Sequence, residues 1–64
     1  MNKQTGMLDV DGVMILVGDK VGYKGKEYRV GFKNYSFVLL SEKGILVEYF
    51  HSIKKKLTII GRGL

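Results

Sequence analysis

The chain contains no cysteine and a single histidine, His51. That excludes disulfide staples and the usual cysteine–histidine zinc sites, two devices by which very small domains often compensate for a thin core. It also lacks any long apolar run. The longest, Val13–Val17, is far short of the roughly 20 residues that a membrane-spanning helix needs. No small-residue cleavage site follows it, so it does not read as a secretory signal either. The expectation is a cytoplasmic protein with no cofactor and no contact with a membrane. Nor is there a window with a helical apolar stripe, and glycine recurs too often to allow one.

What is present is short and basic. Sixty-four residues make one domain, near the size at which only about 60% of the unfolded surface is hidden by folding. A hydrophobic fraction of 45% is that of a globular chain and not of a disordered one. Eleven Lys and Arg against six Asp and Glu give a net charge of +5, unevenly placed. Up to Asp19, Lys3 stands against Asp9, Asp11 and Asp19. From Lys20 onward, ten basic residues stand against Glu27, Glu42 and Glu48. A segregated excess of this kind is the footprint of a polyanion binder. It is equally what keeps a small lysine-rich protein soluble.

Glycine turns and alternating apolar residues predict an all-β chain. Met1–Gly6 is polar and without periodicity, which predicts a frayed N-terminus, with residues 7–64 as the single folded domain. Asp11-Gly12 between Met7–Val10 and Val13–Val17 is a hairpin signal, and the unbroken second run predicts a strand covered on both faces. Lys20–Tyr23 reads as a strand, Lys24-Gly25 as a tight turn, and Lys26–Phe32 as a half-buried strand with Tyr28, Val30 and Phe32 inward. A turn at Lys33-Asn34 precedes a strand over Tyr35–Ser41. Glu42-Lys43-Gly44 and a strand over Ile45–His51 follow, then one 3-10 turn over Ser52–Lys55 and a last strand over Leu57–Ile60. Five to six short strands suggest a small closed barrel, since closure removes exposed edges.

The stretch Val17-Gly18-Asp19-Lys20-Val21-Gly22-Tyr23-Lys24-Gly25-Lys26-Glu27-Tyr28-Arg29-Val30 resembles the opening of SH3-like barrels. Such barrels include KOW-type and Tudor-like domains, small phage-encoded barrels and the barrel that ends Mu-type transposases. Val38-x-Leu40, the Glu-Lys-Gly turn, a helical turn containing Ile53 and a strand from Leu57 look like its later strands. The resemblance covers Leu16 to Ile60 and implies a five- to six-stranded barrel with Met7–Val17 as an added N-terminal strand or hairpin. It implies little about the ligand, because the barrel hosts many.

No side-chain constellation points to catalysis. Glu48 lies three residues before His51 on an expected strand, where the two face opposite sides and cannot share a metal. Ser52 beside His51 suggests a hydrolase pair, but strand neighbours point apart and no orienting carboxylate is evident. The expectation is therefore a binding module and not an enzyme. Lys54, Lys55 and Lys56 form the densest basic run, and Lys24, Lys26, Arg29 and Lys33 would join it against phosphate; a solvated loop accounts for the run equally well. Tyr23 and Tyr35, interleaved with lysines, are candidates to stack bases, while Tyr28 faces inward by parity. Tyrosines that merely line the barrel ends are the plainer alternative. A protein partner is the other expectation, through Met7, Leu8, Val13, Ile15 and Val17, with the chain an adaptor, a host-enzyme inhibitor, or a monomer or weak homo-oligomer.

Overall fold

A computed structural model describes residues 3–62. The fold is all-β, with seven strands among the described residues: β1 (Gln4–Leu8), β2 (Met14–Leu16), β3 (Asp19–Tyr23), β4 (Lys26–Lys33), β5 (Ser36–Leu40), β6 (Leu46–Tyr49) and β7 (Thr58–Arg62). One 3-10 turn, Phe50–Ser52, links β6 to β7. β1 and β2 form a two-stranded hairpin, and the others a five-stranded antiparallel sheet in the order β6-β5-β4-β3-β7. Among the described residues no helix is long and apolar enough to cross a membrane.

Two hairpins of the sheet turn on two residues each. Lys24 and Gly25 both take positive φ, 52° and 77°, as do Asn34 and Tyr35 at 52° and 61°. Paired positive φ angles match the right-handed twist of the flanking strands. The second turn lies one residue later than the expected Lys33-Asn34. Pairing Val30 with Leu39 and Phe32 with Phe37 fixes the register, and that register puts Tyr35 in the turn. Gly31 answers a packing demand: a Cβ there would sit 2.6 Å from Leu40 Cδ1.

The core gathers Ile15, Val21, Tyr23, Val30, Leu39, Phe50 and Leu57, with Met7, Val17, Tyr28, Phe37, Ile53 and Ile59 packed partly against it. Ile15, at 0% exposure, belongs to the hairpin. Burying such a side chain contributes about 1.5–3 kcal/mol, so the hairpin is an integral layer of the domain. Three expectations are corrected here. Residues 4–6 are strand and not frayed, whereas residues 1 and 2 of that segment lie outside the described residues. Ile15 cannot meet a partner, and Met7 and Val17 are half-buried against the core; Leu8 and Val13 stay exposed. Val13–Val17 is not covered throughout either, because only Met14–Leu16 is strand.

Two buried carboxylates join hairpin to sheet. Asp9 Oδ1 accepts from the Asp11 and Val13 amides, both at 2.9 Å, closing the β1–β2 loop. Its Oδ2 accepts from Ile59 N at 3.3 Å, and Val10 N donates to Leu57 O at 2.9 Å. These bonds occupy backbone groups beside β7 that an edge strand would otherwise leave open. Asp19 Oδ2 accepts from Leu16 N at 2.9 Å, and Arg62 Nη2 donates to Met14 O at 2.9 Å. Side chains thus take the place of a neighbouring strand along β2.

The 3-10 turn falls earlier than the expected Ser52–Lys55, and Lys54–Lys56 follows it without regular structure. Phe50 is the buried residue of that turn and reaches within 6.2 Å of the Phe37 ring, which anchors the connection.

Candidate functional site

The tight turn after Tyr23 and the coil before Thr58 are far apart in sequence but adjacent in space, because β7 pairs with β3 from Gly22↔Thr58 onward. Between them lies an open cleft of about 400 Å3. Its walls include Lys24 and Lys26 from the β3–β4 hairpin and Lys55 and Lys56 from the coil. Gly22, Tyr23, Gly25, Thr58 and Ile60 supply an uncharged floor, and Glu27 is its one acidic lining residue. Glu27 is also drawn to Lys20, Nζ to Oε1 3.3 Å, in an exposed pair of small energetic weight.

Four lysines lining one concavity concentrate positive charge there, and an incoming polyanion is drawn to it while releasing its own counterions. The positive φ of Lys24 holds it at the tip of the turn, with Nζ 5.2 Å from the Tyr23 ring centroid. The arrangement can hold phosphate or another multivalent anion. Among the described residues no group of three or more His, Cys, Asp and Glu side chains is placed to hold a metal ion.

The remaining expected residues are scattered. Tyr23 does line the lysine cleft, but it is only 8% exposed, packed with its ring 6.4 Å from that of the half-buried Tyr28, so little of its ring is open to a base. Arg29 Nη1 donates to Gly18 O at 2.7 Å and lines a separate cleft with Lys20, Glu27, Tyr28 and Glu42, where charges are mixed. Lys33 reaches Gly44 O at 3.4 Å. Tyr35 is 96% exposed, but at the opposite end of β4 from Lys26. Seven strand steps of about 3.3 Å put those ends about 23 Å apart. Phe32 and Phe37 also lie near that far end, in edge contact at 5.0 Å, with Lys3 Nζ 4.4 Å over Phe32. Lys54 is exposed but does not line the lysine cleft.

The expected single basic surface is therefore broken up: of its cations only Lys24, Lys26, Lys55 and Lys56 converge, with Tyr23 beside them. Sequence reasoning passed over Gly22, Thr58 and Ile60, which carry no charge or aromatic ring to draw notice. A glycine in mid-strand was the available signal.

His51 stacks on Tyr49, with ring centroids 5.3 Å apart, and its Nδ1 lies 3.5 Å from Ser52 Oγ. The strand expected there is a 3-10 turn, so the two side chains are neighbours after all. Their separation is at the limit of hydrogen bonding and both are exposed, an unsuitable setting for activating a hydroxyl. Comparison with protein-family models, curated proteins and solved structures finds no match.

Proposed function

We propose that this domain binds nucleic acid, without chemistry of its own, through the cleft walled by Lys24, Lys26, Lys55 and Lys56. The observation that carries the reading is the convergence of two lysine pairs from distant parts of the chain on one concavity with an uncharged floor. Solubility alone would be served as well by dispersed lysines, and clustering them costs Coulomb energy that a polyanion recovers. The frame under the cleft is, on this reading, an SH3-like barrel. The order β6-β5-β4-β3-β7, with a 3-10 turn between β6 and β7, supports it.

Titration of the isotopically labelled protein with oligonucleotides at low salt tests the reading by NMR. Amide shifts should concentrate at Gly22, Lys24, Lys26, Lys55, Lys56 and Thr58. Unmoved spectra at low salt would sink the proposal.

A protein partner is the second reading. Leu8, Val10 and Val13 expose apolar surface around the tip of the β1–β2 hairpin. Binding that tolerates salt and is lost in Val10→Asp or Val13→Asp, but not in lysine variants, would favour it over the first.

A further inference from the structure

The floor of the lysine cleft holds a residue that the fold itself does not require. Gly22 sits in the middle of β3, between Glu27 on β4 and Thr58 on β7. Its φ is not in the left-handed region occupied by Gly12, Gly25 and Gly44. A Cβ built on it would lie 3.4 Å from Ile60 Cδ1, 3.9 Å from Ile60 Cγ1 and 4.0 Å from Thr58 O. Those are ordinary van der Waals distances, so alanine fits. Glycine nevertheless weakens a strand, through backbone entropy and the lack of a side chain to pack.

The other glycines within strands have local reasons. Gly31 faces Leu40 too closely for any Cβ, Gly6 has φ of 82°, and Gly61 flanks the bulge where the β3–β7 register shifts. Gly22 lies one residue from that same register shift, with the Ile60 side chain against its Cβ position, and it is the one of these glycines that also lines the cleft. A strand glycine marks a bulge, a bend or a close approach to the backbone, and at the lysine cleft the last has room for a ligand.

From this we infer that the ligand is a single-stranded nucleic acid, one nucleotide of which lies directly on the Gly22 backbone. The inference rests on the nucleic-acid reading above and narrows it. The lysine rim matches phosphate. The floor of peptide backbone, Ile60 and Thr58 matches a flat, uncharged, partly apolar group with hydrogen-bonding edges, which describes a base with its sugar. A duplex keeps its bases stacked inside a convex surface, and presenting one to a concave floor requires unpairing it. A single strand meets no such barrier.

The test compares Gly22→Ala and Gly22→Ser with the unaltered protein. Fluorescence anisotropy follows a short single-stranded oligonucleotide, its duplex and inorganic polyphosphate. The unaltered protein should prefer the single strand over the duplex by about tenfold. The variants should keep or slightly raise the melting temperature and keep the polyphosphate affinity, which need only the fold and the lysines, yet lose about fivefold or more for the single strand. Independently of any variant, the Gly22 amide should shift with the oligonucleotide but not with polyphosphate.

Equal affinity of Gly22→Ala for the single strand, equal binding of the duplex, or an unmoved Gly22 amide would overturn the inference while leaving nucleic-acid binding intact. Failure of the unaltered protein to bind any oligonucleotide at low salt would overturn both together.

Discussion

Asp19 and Arg62 face each other across paired strands, with Oδ1 of the fully buried carboxylate 3.6 Å from the guanidinium Nε. That oxygen has no hydrogen bond of its own, while Oδ2 accepts from Leu16 N. The pair therefore does two things at once. It neutralises a charge inside the core, and through Arg62 Nη2 and Met14 O it holds the N-terminal hairpin on the sheet.

Arg62→Met should destabilise the domain by about 1–3 kcal/mol, because it leaves a buried carboxylate without its counter-charge. The partial exposure of Arg62 keeps the figure below that of a fully buried pair. In an Asp19→Asn background the same change should cost much less. Urea unfolding of the four proteins of this cycle measures the coupling, and additive losses would mean the two residues act separately.

Acid should loosen the hairpin. The Asp9 carboxyl is held below its ordinary value of 3.8, first by the Val13 amide, then by those of Ile59 and Asp11 and the charge of Arg62, with burial opposing them. A depressed folded-state value means that this stabilisation is complete above the unfolded value and is lost as pH falls through the folded one. The urea midpoint should accordingly drop below about pH 4. Asp9→Asn should be less stable at neutral pH, since its amide cannot accept from Ile59 N, and should show a flatter acid limb. Identical acid limbs would count against the assignment.

Tyr35 offers a gain. It holds a φ of 61° while 96% exposed, so its side chain returns little packing for a conformation that disfavours any Cβ. Tyr35→Gly should stabilise the domain by up to about 1 kcal/mol, less what glycine adds to unfolded-state entropy. In a domain of this size that is a rise of about 4–8 °C per kcal/mol in melting temperature. Oligonucleotide affinity should not change, because Tyr35 lies at the far end of β4 from the cleft. A fall in affinity would place a second contact there.

Salt should weaken oligonucleotide binding in proportion to the lysines engaged. If each of the four cleft lysines meets a phosphate, log K for a single strand should fall with log salt at a slope of about −2.8, since each contact contributes about −0.7. Lys55→Gln or Lys56→Gln should make that slope shallower by about 0.7. Arg29→Gln should leave it unchanged, because Arg29 faces the mixed-charge cleft beside Glu42.

Chain-local features were legible in the sequence. Alternation over Lys26–Phe32 marked β4, since a period of two admits no other regular structure, but Phe32, expected inward with Tyr28 and Val30, is 42% exposed and Gly31 is buried. Asp11-Gly12 and Lys24-Gly25 announced their hairpins through the positive φ that glycine tolerates. From these the all-β class and the N-terminal hairpin followed. Which lysines would meet, and which aromatic rings would be buried, did not follow.

Those outcomes belonged to the tertiary structure, because they depend on which strands become neighbours. Pairing of β3 with β7 brings Lys55 and Lys56 to Lys24 and Lys26, while the length of β4 carries Lys33 and Tyr35 away from them. Tyr23 sits beside a lysine in sequence yet is drawn inward with Val21, its parity mate on β3. Asp9 and Asp19 entered the sequence reading as charges and are buried acceptors in the fold, because the hairpin folds back over the edge of β7 and the amides there need partners. Local pattern determined the strands and turns of this chain; the sheet's order of neighbours decided where its charge is concentrated.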